Sequence, residues 1–153
     1  MNESDAFYTP SGYRNQQPAA ITAAMEDYLE MIARLSNESP IVRVSMLAGH
    51  LHVLPSSATK MAAVLRDAGL IDYERYGTIR LTESGAARGA ELLERHDALI
   101  RFFQLLNAQD PEPADSEKEI LYQVEQIEHF LTPATVRRLE RLTRKWETAS
   151  DRT

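Results

Sequence analysis

Cysteine is missing altogether from the 153 residues. That absence removes disulfide frameworks, thiolate metal sites and thiol redox chemistry, and it leaves the redox compartment open. No apolar run approaches the roughly 18 residues that a membrane span needs. The opening Met1-Asn2-Glu3-Ser4-Asp5 is acidic and leads into no apolar core, so no secretory signal is read there. There is no internal repeat and no extended low-complexity segment. Surplus positive charge is lacking too: the net charge is −6, which argues at first against nucleic acid, because phosphate binding leaves a basic footprint. What remains is ordinary for a globular chain, 43% hydrophobic and 26% charged. The length suits one domain or two small ones sharing a core. The expectation is a soluble, cytoplasmic protein without a membrane partner.

The charge is unevenly spread. Arg43 to Thr82 holds five basic residues (Arg43, Lys60, Arg66, Arg75, Arg80) against three acids (Asp67, Asp72, Glu74), or +2, while the remainder carries −8. The same stretch has a distinctive pattern. A helix begins at about Thr22, a suitable N-cap, with Met25, Tyr28, Leu29, Ile32 and Leu35 at helical spacing, and Ser36 to Pro40 end it. Ser45 reads as the cap of a short helix through Leu47, Ala48 and Leu51 that stops near Val53-Leu54. Pro55 suits the first position of the next helix, which runs through Met61, Val64 and Leu65 to Gly69. Ile71 to Thr82 then predicts two strands about a turn at Gly77. Helix, tight turn, helix and hairpin make a winged helix-turn-helix.

Beyond it, Thr82 caps a long helix to about residue 106, followed by a loop from Asn107 to Asp115. A helix is expected at about Ser116–Leu131, and Thr132-Pro133 starts a last one with Val136, Leu139 and Leu142. The polar end after Trp146 is expected to fray. The fold class is therefore mainly α with a small β-wing. The expected divisions are an N-terminal arm at 1–20, the winged helix at 21–85, a helical C-terminal domain at 86–148 and a tail at 149–153.

In such a fold the helix after the turn enters the major groove. Its early residues are Pro55, Ser56, Ser57, Ala58, Thr59 and Lys60, small or hydroxylated apart from a lysine that reaches for phosphate. The free N–H groups of its first turn suit phosphate oxygens as well. Arg75, Tyr76 and Arg80 in the wing would lie along the backbone or minor groove. Ser56 and Ser57 would also serve as plain first-turn residues, so the whole segment carries this reading better than any one residue.

Two further clusters offer metal donors. Asp27 and Glu30 stand one turn apart on the first helix, and Glu125, Glu128 and His129 stand at i, i+3 and i+4 on the penultimate one. His96 lies between them in sequence. Four carboxylates and two imidazoles without sulfur suit Mn(II), or less selectively Fe(II). Acids off the apolar stripe of a helix also serve solubility, however, and spacing does not show that the clusters meet. His50 and His52 are read as surface residues.

Six segments in order carry a resemblance: Met25-Glu26-Asp27-Tyr28-Leu29-Glu30, Leu54 to Met61, Tyr73 to Gly77, Leu81 to Gly85, Glu94-Arg95-His96 and Glu125 to His129. Over about Met25 to Arg144 the sequence is similar to the manganese transport regulators of the diphtheria-toxin-repressor family of metal-dependent repressors. The resemblance implies a homodimer, with dimerisation through the C-terminal helical domain, that binds a palindromic double-stranded DNA operator and is no enzyme. It implies a pair of divalent ions per subunit, held by Asp27, Glu30, His96, Glu125, Glu128 and His129 between the two domains, and no organic cofactor. The iron-responsive branch has methionine where Asp27 stands and cysteine where Glu125 stands, so the departures favour Mn(II) over Fe(II). Nothing after Trp146 would make the third, barrel-like domain of the longer iron regulators. Gly49-His50 replaces better helix formers in the first reader helix, and the first twenty residues are assigned no role beyond contact with DNA.

Two rivals belong to other classes. A di-iron oxidation site needs a four-helix bundle with two Glu-x-x-His motifs, which the sequence lacks. A winged-helix regulator answering a small organic ligand would leave the acids as mere surface.

Overall fold

The computed structural model describes residues 21–74, 77–111 and 115–150. Helix α1, Ala23–Glu38, starts where the Thr22 hydroxyl accepts the Met25 N–H at 3.2 Å, and it buries Leu29, Ile32 and Leu35. A two-residue strand β1, Val42–Arg43, leads into helix α2, Val44–His50. Ser45 is not its cap: the helix begins two residues earlier than expected, at Val44, because extended Arg43 takes the cap position and turns directly from the strand into it. It also ends at His50, short of Val53-Leu54, and His52 takes the left-handed conformation (φ 54°) to make the tight turn.

Helix α3, Pro55–Asp67, has its proline at the start, as expected, and Gly69 follows its end with φ 73°. One face carries Ala58, Ala62 and Leu65, all without exposed surface, against the core. Strands β2 (Ile71–Tyr73) and β3 (Thr78–Leu81) form the expected hairpin, with Ile71 opposite Leu81 and Asp72 opposite Arg80. Strand β1 adds to the other edge of β3, Val42 opposite Ile79, giving an antiparallel sheet in the order β1-β3-β2. Val42, Ile71, Tyr73 and Ile79 face inward and close one core with α1, α2 and α3.

Helix α4, Glu83–Gln109, is capped by Thr82, whose hydroxyl accepts the Gly85 N–H and donates to the Gly69 carbonyl at 2.7 Å. It runs past residue 106 into the expected loop. Its N-terminal turns lie very close to their neighbours. A Cβ on Gly85 would sit 1.7 Å from the Leu70 carbonyl oxygen, and one on Gly89 would sit 2.7 Å from the Ala33 Cβ of α1. Farther on, Phe102 stacks on Trp146 with ring centroids 6.0 Å apart.

Helix α5, Glu117–Ile127, begins with a reciprocal cap between Ser116 and Glu119. The expected single helix to Leu131 is broken: a 3-10 turn over Glu128–Phe130 intervenes before helix α6, Pro133–Ser150. Helix α6 continues beyond Trp146, where fraying was expected. The fold is thus mainly helical with a small β-wing, as the sequence predicts, and the wing has a third strand, β1, beyond the expected two. Among the described residues no helix is long and apolar enough to cross a membrane.

Candidate metal centre

Three elements converge on one place: the first turns of α1, the middle of α4 and the end of α5 with its 3-10 turn. All six residues singled out from the sequence meet there. His96, on α4, is buried; its Nδ1 lies 3.0 Å from Glu128 Oε2 and 3.8 Å from both Glu30 Oε1 and Glu125 Oε1. His129 faces α1 instead, with Nε2 2.7 Å from Asp27 Oδ1 and 4.0 Å from Glu128 Oε1. Two donor sets result, Glu30–His96–Glu128 and Asp27–Glu128–His129, and within each the ligand atoms lie within 4.8 Å of one another.

The 3-10 turn explains this division. A continued α-helix would keep Glu125, Glu128 and His129 on one face. Tightening the chain at Glu128 turns His129 toward α1 and leaves Glu125 beside His96. Glu128 stands between the sets with only 1% of its surface exposed, one oxygen turned to each. Asp27 and Glu125 close the outer sides, with side chains 45% and 49% exposed.

Burial and mutual repulsion together set the ionisation of these groups. Glu30 and Glu125 are held above the usual carboxylate range, chiefly by burial and next by the charge on Glu128. His96 is raised by its hydrogen bond to Glu128, against an opposing effect of burial. His129 is raised to about 10, first by the hydrogen bond to Asp27 and then by that to Glu26. Clustered acids that resist ionisation gain most from a divalent cation. The size fits as well: hard divalent ions hold oxygens at about 2.0–2.6 Å, so opposed ligands stand about 4–5 Å apart. The donors are oxygen and imidazole without sulfur, the chemistry of Mn(II) or Fe(II) rather than of a thiolate metal.

Sequence reasoning missed Glu26. It is buried, and its Oε2 accepts from His129 Nδ1 at 2.7 Å and from Arg95 Nη2 at 2.9 Å, while Oε1 accepts from Arg88 Nη2 at 2.5 Å. Burial alone would raise its pKa; the His129 and Arg95 hydrogen bonds and the two arginine charges prevail and lower it to about 2. The available signal was the spacing of Glu26 and Glu30 on one face of α1. An open cavity of about 860 Å³ between α1, α4 and α6 reaches Glu26, Arg95 and His129, giving this side of the centre a path to solvent.

At the other end of the winged helix, the first turn of α3 is presented outward. Pro55, Ser56, Ser57 and Lys60 are exposed, and Thr59, half-buried, donates its hydroxyl proton to the Pro55 carbonyl. Ser56 and Ser57 make no side-chain hydrogen bond among the described residues, which leaves their hydroxyls available. Arg80 is exposed on β3, whereas Arg75 and Tyr76 lie outside the described residues. None of the described DNA-reader positions contacts the metal donors; they are joined to them through α1 and α4.

A winged helix whose supporting helices carry a carboxylate–histidine centre is the build of a metal-dependent DNA-binding regulator. Residues 20–79 match the family described as iron dependent repressor, N-terminal DNA binding domain. The HTH-type transcriptional regulator MntR of Lysinibacillus sphaericus is 35% identical over 85% of this chain and 88% of its own length. Its counterpart in Geobacillus thermodenitrificans is 39% identical over 72% of this chain and 74% of its own. Among solved structures, a manganese-dependent transcriptional repressor in complex with manganese matches at 25% identity and a TM-score of 0.64, over 78% of this chain and 52% of that one. The manganese regulator SloR matches at 24% and 0.64, over 80% and 54%. The chain therefore spans about half the length of those solved chains. It belongs to the MntR group of the iron-dependent-repressor family, metal-dependent transcriptional regulators and not enzymes.

Proposed function

We propose that this chain is a Mn(II)-responsive repressor acting in the cytoplasm as a homodimer on a palindromic DNA operator that controls manganese uptake and homeostasis genes. Residues 21–85 would read DNA, and 86–148 would complete the metal site and dimerise. Glu30, His96, Glu125 and Glu128 would hold one ion, and Asp27, Glu128 and His129 a second, with Glu128 shared. The observation that carries this reading is the buried Glu128 carboxylate, placed with one oxygen toward each donor set. A bound pair of divalent ions supplies positive charge between carboxylates that otherwise repel.

The chain's own residues account for the coupling to DNA. Asp27 and Glu30 belong to α1, which packs against the reading helix in the winged-helix core, and His96 belongs to α4. Drawing these donors together fixes α1 on α4, and with it the orientation of α3. In a dimer that sets the spacing of the two reading helices against successive major grooves. On DNA, Lys60 and Arg80 meet phosphates, and Pro55, Ser56, Ser57 and Thr59 approach base edges, with Arg75 and Tyr76 at the wing. Linkage demands that DNA tighten metal binding by the same factor that metal tightens DNA binding.

Fe(II) is the second reading, since the same oxygen and imidazole donors accept it. Operator affinity compared at fixed salt with Mn(II), Fe(II), Zn(II) and no metal tests both, on an operator selected from random duplexes in the presence of Mn(II). Strongest binding with Mn(II) is expected. Equal affinity with and without metal would sink the proposal.

A further inference from the structure

The buried network at Glu26 lies behind one metal ligand without itself facing the donor sets. Its carboxylate is fully engaged: three donors on two oxygens leave it no freedom to rotate. The three donors come from two different elements, Arg88 and Arg95 from α4 and His129 from the 3-10 turn, while Glu26 comes from α1. A further acid beside four carboxylates would ordinarily add to their repulsion. Here two guanidinium groups more than balance it, so Glu26 is held ionised at no cost to the centre.

The effect falls on His129. A histidine ring has two nitrogens and can present either to a metal. Nδ1 is enclosed by Glu26 at 2.7 Å and by the Arg95 guanidinium at 3.2 Å, which turns Nε2 toward Asp27 and Glu128. Proton donation from Nδ1 to a carboxylate also makes Nε2 a better electron-pair donor. We propose that Glu26 is a positioning residue for the metal ligand His129, clamped in turn by Arg88 and Arg95, so that the Asp27–Glu128–His129 set is aligned before an ion arrives. This rests on the metal-binding reading above.

A double-mutant cycle on Mn(II) affinity of the full chain, with Glu26→Ala, His129→Ala and both together, tests it. Glu26→Ala is expected to weaken the affected ion roughly 10- to 100-fold, the usual consequence of losing a partner behind a metal ligand. In the His129→Ala background it should add little. Glu26→Gln retains an acceptor for the Nδ1 proton and should recover part of the loss. Arg88→Ala leaves the Glu26–His129 bond in place and should cost much less than Glu26→Ala. In Cd(II)-loaded protein, ¹⁵N spectra should show His129 protonated at Nδ1, and Glu26→Ala should abolish that single form. Equal losses from Glu26→Ala in both backgrounds, or from Arg88→Ala, would reduce Glu26 to a helix clamp and overturn the proposal. Failure of the parent protein to bind Mn(II) at all would overturn the metal reading along with it.

Discussion

Gly89→Ala is a small change placed where the structure allows least room. The new Cβ would stand 2.7 Å from the Ala33 Cβ, whereas carbon atoms in good contact sit about 3.5–4.0 Å apart. Both partners lie on helices, so relief requires α1 and α4 to separate by about 1 Å. That displacement falls within about two turns of Glu30 on one helix and His96 on the other. Metal–ligand distances tolerate only about 0.2 Å. Stability alone will not reveal the effect, because alanine gains about 1 kcal/mol over glycine in helix propensity while overpacking costs about 1–3 kcal/mol. The net loss in urea denaturation should be between about 0 and 2 kcal/mol. Metal titration is the decisive assay: Mn(II) affinity should fall tenfold or more. Gly49→Ala is the matched control, since its Cβ would meet nothing within 4 Å. It should gain up to about 1 kcal/mol and leave Mn(II) binding unchanged. Parent-like Mn(II) affinity in Gly89→Ala would refute the idea that the close crossing of α1 and α4 sets the ligand spacing.

Glu128→Gln keeps the shape of the shared carboxylate and removes its charge, so calorimetry should record the loss of tight Mn(II) binding at both donor sets; survival of one unweakened ion would show that the carboxylate is not shared. The metal-free protein should show a stability plateau with pH. Glu26, lowered to about 2, contributes fully above its unfolded value of 4.5 and loses that contribution as pH falls toward 2. His129, raised to about 10, contributes fully below 6.5 and loses it as pH rises through 10. Urea midpoints measured in chelator should therefore peak between these limits, and Glu26→Gln should flatten the acid flank; an unchanged acid flank would refute the assignment.

Features that punctuate the chain locally could be read in advance. Thr22, Pro55, Gly69 and Thr82 act through their own backbone neighbourhood, and each stands at the helix end expected of it. Strand β1 could not be read, because two residues carry no alternation; only pairing with β3 defines it. Nor could the 3-10 turn, since spacings of three and four look the same whether or not the helix continues through Glu128. His96 is flanked by Arg95 and Asp27's fellow acid Asp97, and on pattern alone it reads as surface; its burial comes from packing against α5 and α1. The six donors were a weak suggestion from spacing, and it was resemblance that joined them. Glu26 was hidden for a related reason. Its arginine partners lie 62 and 69 residues away, so apart from its place on the same face as Glu30 it looks locally like a solvated acid.

The Thr82 hydroxyl joins the end of α3 to the start of α4, and Gly85 lets the two segments touch backbone to side. Reading head and long helix are thereby tied together at the start of α4. With 27 residues, α4 is about 40 Å long, so tilting it by about 3° carries its far end through about 2 Å. On the function proposed above, a change at the metal donors too small to alter either domain internally would become, at the end of such a lever, a misfit with the grooves of DNA.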